Sequence, residues 1–167
     1  KTVQAVARNH PKSKTRVTIN RHGNVRYSRG SCIPRFVQQL QSGKSLTLTE
    51  PKMTRFLMTL QESVDLVEHA FLNAEPGDLF VRKAPACTVE VLATAVANLF
   101  GESDPEFNLI GPRHGEKLHE TLLSREEVVR ATDQNSYFKV PLDARSLEYE
   151  LFNEEGEMQT AKIEEYT

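Results

Sequence analysis

Apolar residues recur at the spacing of an α-helix in three parts of the chain. The first stripe lies at positions i, i+3, i+4 and i+7 and consists of Ile33, Phe36, Val37 and Leu40. Gly43 follows it and predicts the end of that helix. Two further stripes predict helices after residues 59 and 88: Leu60, Val64, Val67 and Phe71 in one, and Val89, Leu92, Ala93, Val96 and Leu99 in the other. Thr88 is placed to cap the last of these helices, and residues 2–9 are typical of the end of another helix.

Segments rich in β-branched residues separate these helices. Residues 15–25, TRVTINRHGNV, predict a strand that runs into a glycine turn, and shorter strands are predicted at 45–50, 78–83 and 107–111. Ser124 and Glu127 form a capping-box pattern for a short helix. From about residue 131 the pattern becomes polar and aperiodic, and we expect this region to be loosely ordered. The alternation of strands and helices predicts an α/β fold.

Composition narrows the class of protein. Hydrophobic residues make up 38% of the 167 residues and Trp is absent, which favours an aliphatic core. No apolar run is long enough for a membrane span, and the first residues carry no apolar signal region. Cys32 and Cys87 have no disulfide or metal-ligand spacing, so we expect reduced thiols in a cytoplasmic protein. The missing initiator Met and the lack of a Gly-rich strand-to-helix turn favour the later part of an open α/β fold.

The net charge of −2 hides a strong asymmetry along the chain. Residues 1–49 contain ten Lys and Arg and no acid, whereas the remainder carries 11 Lys and Arg against 23 acids, a net charge of −12. Such a basic block indicates an anionic partner, which could be nucleic acid, an acidic membrane surface or a phosphorylated small molecule. The alternative is that some of these side chains pair with the acidic remainder.

Arginines stand in three segments that follow or interrupt predicted strands. The first segment, NRHGNVRYSRGSCIPRF, includes Arg21, Arg29 and the amide of Asn24. The second is MTRF with Arg55, and the third is GPRHGEKLHE with Arg113 and Glu116. Arginine binds two phosphate oxygens at once, so the three segments together predict one shared diphosphate, with a carboxylate such as Glu116 accepting from ribose hydroxyls. Taken singly, Arg55 could be a paired structural residue and the third segment an exposed charged turn.

Four ordered motifs carry a family resemblance: RHGNVRYSRGSCIPRF, MTRFLMTLQESVDLVEHAF, GDLFVRKAPACTVEVLA and RHGEKLHETLLSREEV. Together they resemble the C-terminal half of bacterial UDP-N-acetylglucosamine 4,6-dehydratases of the inverting type. These enzymes belong to the extended short-chain dehydrogenase/reductase superfamily and to capsular and O-antigen polysaccharide biosynthesis. The resemblance implies an NAD(P)-binding Rossmann-like fold without its N-terminal cofactor-binding half. It divides the chain into residues 1–108, the end of the Rossmann-like domain with the substrate region, residues 109–155, a C-terminal module, and a tail at 156–167.

The resemblance also implies a reaction. NADP or NAD takes hydride from C4 of the sugar, water leaves from C6 and hydride returns there, and inverting members also epimerise C5. The catalytic residues would lie upstream of Lys1, so no catalytic residue and no metal ligand is expected in this chain. Substrate binding is implied for Asn24, Arg29, Ile33, Pro34, Arg55, Arg113 and Glu116, and contact with the cofactor for Arg21, His22 and Asn24. The chain departs from the family pattern at His22 and Arg26, which places full activity in question.

Other functions stay open at this point. A UDP-sugar 4-epimerase would share the binding residues and omit the dehydration. A nucleic-acid-binding module could use the basic block, but such modules interleave aromatic residues with their charges, and only Tyr27 and Phe36 are available in the arginine-rich stretch. A non-catalytic scaffold is the third alternative. We therefore expect a UDP-sugar partner, with no nucleic acid and no membrane, in a parent protein that forms a homo-oligomer.

Overall fold

The computed structural model describes residues 2–10 and 13–142. Helices in this part of the chain are α1 (Thr2–Asn9), α2 (Cys32–Gln41), α3 (Leu60–Asn73), α4 (Val89–Leu99) and α5 (Arg125–Arg130). Strands are β1 (Ile19–Arg21), β2 (Asn24–Val25), β3 (Leu46–Leu48), β4 (Thr54–Met58), β5 (Leu79–Arg82), β6 (Ala86–Thr88), β7 (Phe107–Leu109), β8 (Thr132–Gln134) and β9 (Tyr137–Val140). The predicted α/β class is confirmed.

The described residues group into two compact units that interleave along the sequence. Of the described residues, the first unit takes those up to Arg21, Leu66–Lys83 and residues 122–142, and the second takes His22–Asp65 and Ala84–Thr121. These units describe compactness and interleave along the sequence, whereas the predicted domains are linear segments. The predicted boundary at residues 108 and 109 stays a prediction. The tail at 156–167 and the end of the predicted C-terminal module lie outside the described residues.

The first unit is built on a four-stranded sheet in the order β1-β5-β9-β8. β1 and β5 are parallel, and the two later strands are antiparallel. One core cluster forms where Leu66 and Ala70 of α3 pack with Phe80 of β5, and Tyr137 covers it. These apolar contacts hold β9 on the sheet, so the expectation of loose order after residue 131 is wrong as far as residue 142. The polar sequence there forms the β8–β9 hairpin, whose β9 pairs with β5, a distant partner that the local pattern does not reveal.

The second unit contains two smaller sheets. β2 and β4 are parallel, β4 and β6 are antiparallel, and β3 and β7 form a separate parallel pair. Its core cluster joins α2 and α4 to β3, and its buried members are Phe36, Leu46, Leu48, Met53, Val89, Ala93, Val96 and Ala97. The periodicity of α2 and α4 therefore predicted the packed faces except at Leu99, which is 85% exposed at the end of α4. The Oγ1 of Thr88 accepts the N–H of Val91 as expected of its cap.

The predicted strand at 15–25 is wrong as one continuous element. It is two short strands that join different sheets, with His22 and Gly23 between them. Gly23 is buried, and a Cβ at this position would lie 2.6 Å from the Cβ of Phe56. The backbone of the break therefore passes too close to β4 for any side chain, which explains a glycine at this point.

Helix α3 forms as predicted, but its apolar stripe is not its buried face. Leu66 and Ala70 are buried, whereas Leu60 and Phe71 are 69% and 84% exposed. Val64 and Val67 are also exposed. None of the helices in residues 2–10 and 13–142 is both long and apolar enough to cross a membrane.

Candidate functional site

Strand β4 carries the central cation of the second unit. Along TRFLM, Phe56 and Met58 are buried, so the alternation of the strand turns Arg55 to the opposite face. Arg55 lies opposite Cys87 of β6 in the antiparallel register, and its side chain is only 13% exposed. A largely buried guanidinium needs partners for its five donors, and these partners define the site.

Arg55 binds the segment at residues 113–120, which runs beside β4. Its Nη1 donates to the carbonyl oxygens of Thr54 at 2.7 Å and Lys117 at 3.3 Å. Its Nη2 lies 3.4 Å from Oε1 of Glu116, and its Nε lies 3.6 Å from Oε1 of Glu120. Each carboxylate thus meets Arg55 through one oxygen at a long distance, while the main-chain contact to Thr54 is short.

The same segment is also fixed by β4 itself and by its own turn. The N–H of Thr54 donates to the carbonyl of Leu118 at 3.0 Å, and the Thr54 hydroxyl lies 2.9 Å from Nδ1 of His119. Around Gly115, which has a φ of 79°, the N–H of Arg113 donates to Oε2 of Glu116 at 3.2 Å. The turn therefore holds the Glu116 carboxylate in place through a main-chain donor.

Asn24 joins this group from β2. With its amide oriented so that the nitrogen donates, Asn24 binds the carbonyl of Phe56 at 3.2 Å and Oε2 of Glu120 at 3.1 Å. Glu120 accordingly connects Asn24 with Arg55, one carboxylate oxygen toward each. We call the set Asn24, Arg55, Arg113, Glu116 and Glu120 the Arg55 cluster. Four of its members were predicted substrate-binding residues, and the structure brings them together from three separate segments.

The remaining predicted substrate residues lie in the turn after β2 and the first turn of α2. Arg29 is exposed between Tyr27 and Gly30, whose φ values are 59° and 79°. Ile33 is partly buried against the core cluster, and Pro34 is half-buried beside it. Among the described residues, the guanidinium groups of Arg29 and Arg113 make no hydrogen bond or ion pair, so both remain available to an anion.

The two cysteines lie beside the Arg55 cluster. Burial raises the pKa of the Cys32 thiol, an effect that hydrogen bonds from the main chain of Cys32 and Ile33 and the nearby charge of Arg55 only partly offset. Burial and the neighbouring Cys32 raise the pKa of the Cys87 thiol. Both side chains are therefore neutral thiols at pH 7 rather than activated nucleophiles. No cluster of three metal-ligating side chains occurs in the part of the chain that the structure describes.

Arg21, a predicted cofactor residue, lies in the first unit and is held by a carboxylate. Its Nη1 and Nη2 donate to Oε2 and Oε1 of Glu127 at 2.6 and 2.9 Å, and Nη1 also donates to the carbonyl of Leu122 at 2.7 Å. Glu127 completes the capping box of α5 with Ser124, as its sequence pattern predicted. Burial raises the pKa of Glu127. The hydrogen bonds from Arg21, the N–H of Ser124 and the charges of Arg21 and Arg130 together lower it by more, so the pKa lies below its ordinary value.

The other two predicted cofactor residues belong to the second unit. His22 is exposed, and its Nδ1 lies 2.8 Å from the carbonyl oxygen of Gly23. Asn24 is engaged in the Arg55 cluster. Arg21 is thus paired within the first unit, and the contacts with the cofactor that were predicted for Arg21, His22 and Asn24 stay a prediction.

Sequence reasoning missed Glu120 and the supporting role of Thr54. The available signal was the spacing of Glu116 and Glu120, four residues apart beside an arginine-bearing turn. The partner of Glu120 is on β4, 65 residues upstream, and no local pattern connects the two.

Comparison with known proteins places this geometry in context. Residues 1–142 match the family described as polysaccharide biosynthesis protein. A curated UDP-glucose 4-epimerase of Rickettsia massiliae is 49% identical over 163 residues, which cover 98% of this chain and 48% of that protein. The corresponding protein of Rickettsia felis is 48% identical over 166 residues, with 99% and 48% coverage. The chain thus spans about half the length of the curated relatives it matches.

Solved structures show the fold. Pen from Bacillus thuringiensis superposes with a TM-score of 0.80 at 29% identity, covering 87% of this chain and 46% of that one. The dTDP-glucose 4,6-dehydratase DesIV from Streptomyces venezuelae, solved with NAD bound, gives a TM-score of 0.61 at 21% identity, with 71% and 39% coverage. The fold is part of the Rossmann-like fold of the extended short-chain dehydrogenase/reductases.

Proposed function

Because the chain belongs to the polysaccharide biosynthesis protein family, we propose that it supplies the UDP-sugar-binding part of an enzyme that oxidises C4 of the sugar. The observation that carries this proposal is the Arg55 cluster, in which a half-buried arginine joins the segments of Asn24 and Arg113 at one place. Several arginines around a partly desolvated site can bind a diphosphate, because water competes little there for the hydrogen bonds between the guanidinium groups and the phosphate oxygens.

In this proposal the diphosphate lies between the bound guanidinium of Arg55 and the free guanidinium groups of Arg29 and Arg113. The guanidinium groups of Arg29 and Arg113 make the first contacts, since both residues are exposed and neither group has a partner among the described residues. Glu116 is fixed by the Arg113 N–H and accepts from the ribose hydroxyls. Ile33 and Pro34 offer the apolar surface against which a uracil ring packs.

In this proposal the cofactor is bound mainly by the part of the enzyme that this chain does not cover in its longer relatives. NAD is bound in solved dehydratase and epimerase neighbours, and NAD or NADP would supply reversible hydride transfer. This chain's role is to hold and orient the UDP-sugar, and the cofactor contacts predicted for Arg21, His22 and Asn24 stay predictions. No step assigned to its residues depends on the cofactor.

Two reactions share this binding role. The names of the Rickettsia relatives, UDP-glucose 4-epimerase, favour inversion at C4. The sequence motifs favour 4,6-dehydration of UDP-N-acetylglucosamine, with or without C5 inversion. The test uses an enzyme that contains this chain and has the full length of its relatives. It is incubated with each UDP-sugar in turn, and the products separate the two reactions because only dehydration yields a 4-keto-6-deoxy sugar.

Calorimetric titration of the chain with UDP tests the binding proposal. We expect Arg113→Ala and Arg29→Ala each to weaken UDP binding about 5- to 20-fold, as the loss of a charge-assisted contact predicts. Arg125→Ala, an exposed arginine in α5, is the matched control and should leave the affinity unchanged. Equal or tighter binding of single-stranded DNA, or UDP affinity that ignores both substitutions, would contradict the proposal.

A further inference from the structure

We propose that the Glu120 carboxylate is an exchangeable internal anion, which occupies diphosphate-binding groups of the Arg55 cluster until a nucleotide displaces it. This inference rests on the proposed function and adds a residue that no prediction from the sequence assigned.

The contacts of Glu120 carry the inference. One oxygen lies 3.6 Å from Nε of Arg55, and the other accepts from the amide of Asn24 at 3.1 Å. These are two of the side chains that the proposed function assigns to the nucleotide-sugar. A phosphate, like a carboxylate, can offer one oxygen to each of two donors, so Glu120 occupies the place that a phosphate group would take on this pair.

The donors of Arg55 show where a phosphate can enter. Nη1 is taken by the carbonyl oxygens of Thr54 and Lys117, which are part of the fold. The other edge of the guanidinium faces Glu116 and Glu120. A phosphate that binds this edge must therefore replace a carboxylate.

Glu120 is the carboxylate that can leave. Glu116 accepts the main-chain N–H of Arg113, which ties it to the turn. Glu120 has no main-chain donor among the described residues, its contact with Arg55 exceeds hydrogen-bond distance, and its side chain is 36% exposed. Rotation of the Glu120 side chain is enough to free Nε of Arg55 and the amide of Asn24.

Charge gives the direction of the effect. The pairing places two carboxylates on one guanidinium, and a bound diphosphate would add further negative charge a few ångströms from Glu120. Like charges at this separation repel appreciably in a partly buried site. Removing the charge of Glu120 should therefore strengthen the binding of a diphosphate.

The test compares UDP and uridine binding to the wild-type chain, Glu120→Gln and Glu120→Ala by calorimetry. We expect both variants to bind UDP about 3- to 10-fold more tightly, as the removal of one nearby like charge predicts, with uridine affinity unchanged. Glu102→Gln, an exposed acid of the same unit outside the cluster, is the matched control for net charge.

The outcomes separate the two proposals. If the wild type binds UDP and neither variant binds it more tightly, Glu120 is not displaced and this inference fails alone. If both variants bound UDP more weakly, Glu120 would be a positioning residue, and this inference would also be overturned. If neither the wild type nor any variant binds UDP, the proposed function itself fails.

Discussion

Two arginines of this chain meet carboxylates in different ways. In the first unit, Arg21 binds Glu127 through both Nη atoms at 2.6 and 2.9 Å, and that carboxylate also closes the capping box of α5. In the second unit, Arg55 meets two carboxylates through single oxygens at 3.4 and 3.6 Å. The first pair joins elements of the fold, whereas the second leaves one edge of the guanidinium exchangeable. Geometry, rather than the presence of an ion pair, distinguishes a structural arginine from a candidate ligand group.

The largest expected effect comes from breaking the first pair. Glu127→Ala removes two charge-assisted hydrogen bonds and a helix cap, and we expect it to lower the free energy of unfolding by about 2–3 kcal/mol, after allowance for the partial exposure of Arg21. Urea denaturation measures this change. Glu126→Ala, the exposed neighbour in α5, is the control and should change stability by less than about 0.5 kcal/mol. If Glu126→Ala and Glu127→Ala lowered the free energy of unfolding equally, the structural role of the Arg21–Glu127 pair would be contradicted.

Breaking the second contact should act on binding more than on stability. Arg55→Ala is expected to weaken UDP binding at least about 10-fold, because it removes a half-buried cation from the cluster. Its effect on unfolding should stay smaller than that of Glu127→Ala. Arg55→Lys keeps the charge but loses the fork that holds the 113–120 segment, so it should recover only part of the affinity. If Arg55→Ala destabilised the chain and left UDP binding intact, Arg55 would be a structural arginine like Arg21, which would contradict the account.

The pH dependence of stability should depend on the first pair. Because the folded pKa of Glu127 is below its ordinary value of 4.5, the pair stabilises the fold above about that pH. This stabilisation is lost as the pH falls from 4.5 through the folded pKa, where protonation removes the carboxylate charge. Wild type and Glu127→Gln should differ by about 1 kcal/mol at pH 7 and converge at low pH. A difference that grew on acidification would have the wrong sign.

The smallest expected effect concerns the support of the 113–120 segment. Thr54→Val keeps the main-chain bond to Leu118 and removes the hydroxyl contact with His119. A single exposed hydrogen bond contributes about 0.5–1 kcal/mol, so UDP affinity should fall about two- to fivefold. Thr94→Val, whose hydroxyl bonds within α4, is the control and should leave UDP affinity unaffected.

Local patterns predicted the elements whose partners are apolar and repeated. The stripes of α2 and α4 predicted their packed faces apart from Leu99, which is exposed, and the caps at Thr88 and Ser124 are present as expected. Side-chain periodicity reports burial directly when one helix face meets the core. The stripe of α3 predicted the helix but not its orientation, because the sheet selects Leu66 and Ala70 instead.

Long-range contacts explain what the sequence could not reveal. The break at Gly23 depends on the approach of Phe56, and the β8–β9 hairpin depends on packing of Tyr137 against residues of α3 and β5. Asn24 and Arg55 both meet Glu120, and the main chain of Arg113 meets Glu116, which Arg55 also contacts. The shared diphosphate site predicted for the three residues stays a prediction. Glu120 escaped notice because its partners come from two distant strands.

The most direct test of the account follows the arginine Nε–Hε resonances by NMR as UDP is added. The account predicts that the Arg55 resonance shifts with UDP concentration, together with the Nδ2 amide of Asn24, while the Arg21 resonance keeps its position. A titration that moves Arg21 and leaves Arg55 unchanged would contradict the central claim that the Arg55 cluster receives the diphosphate.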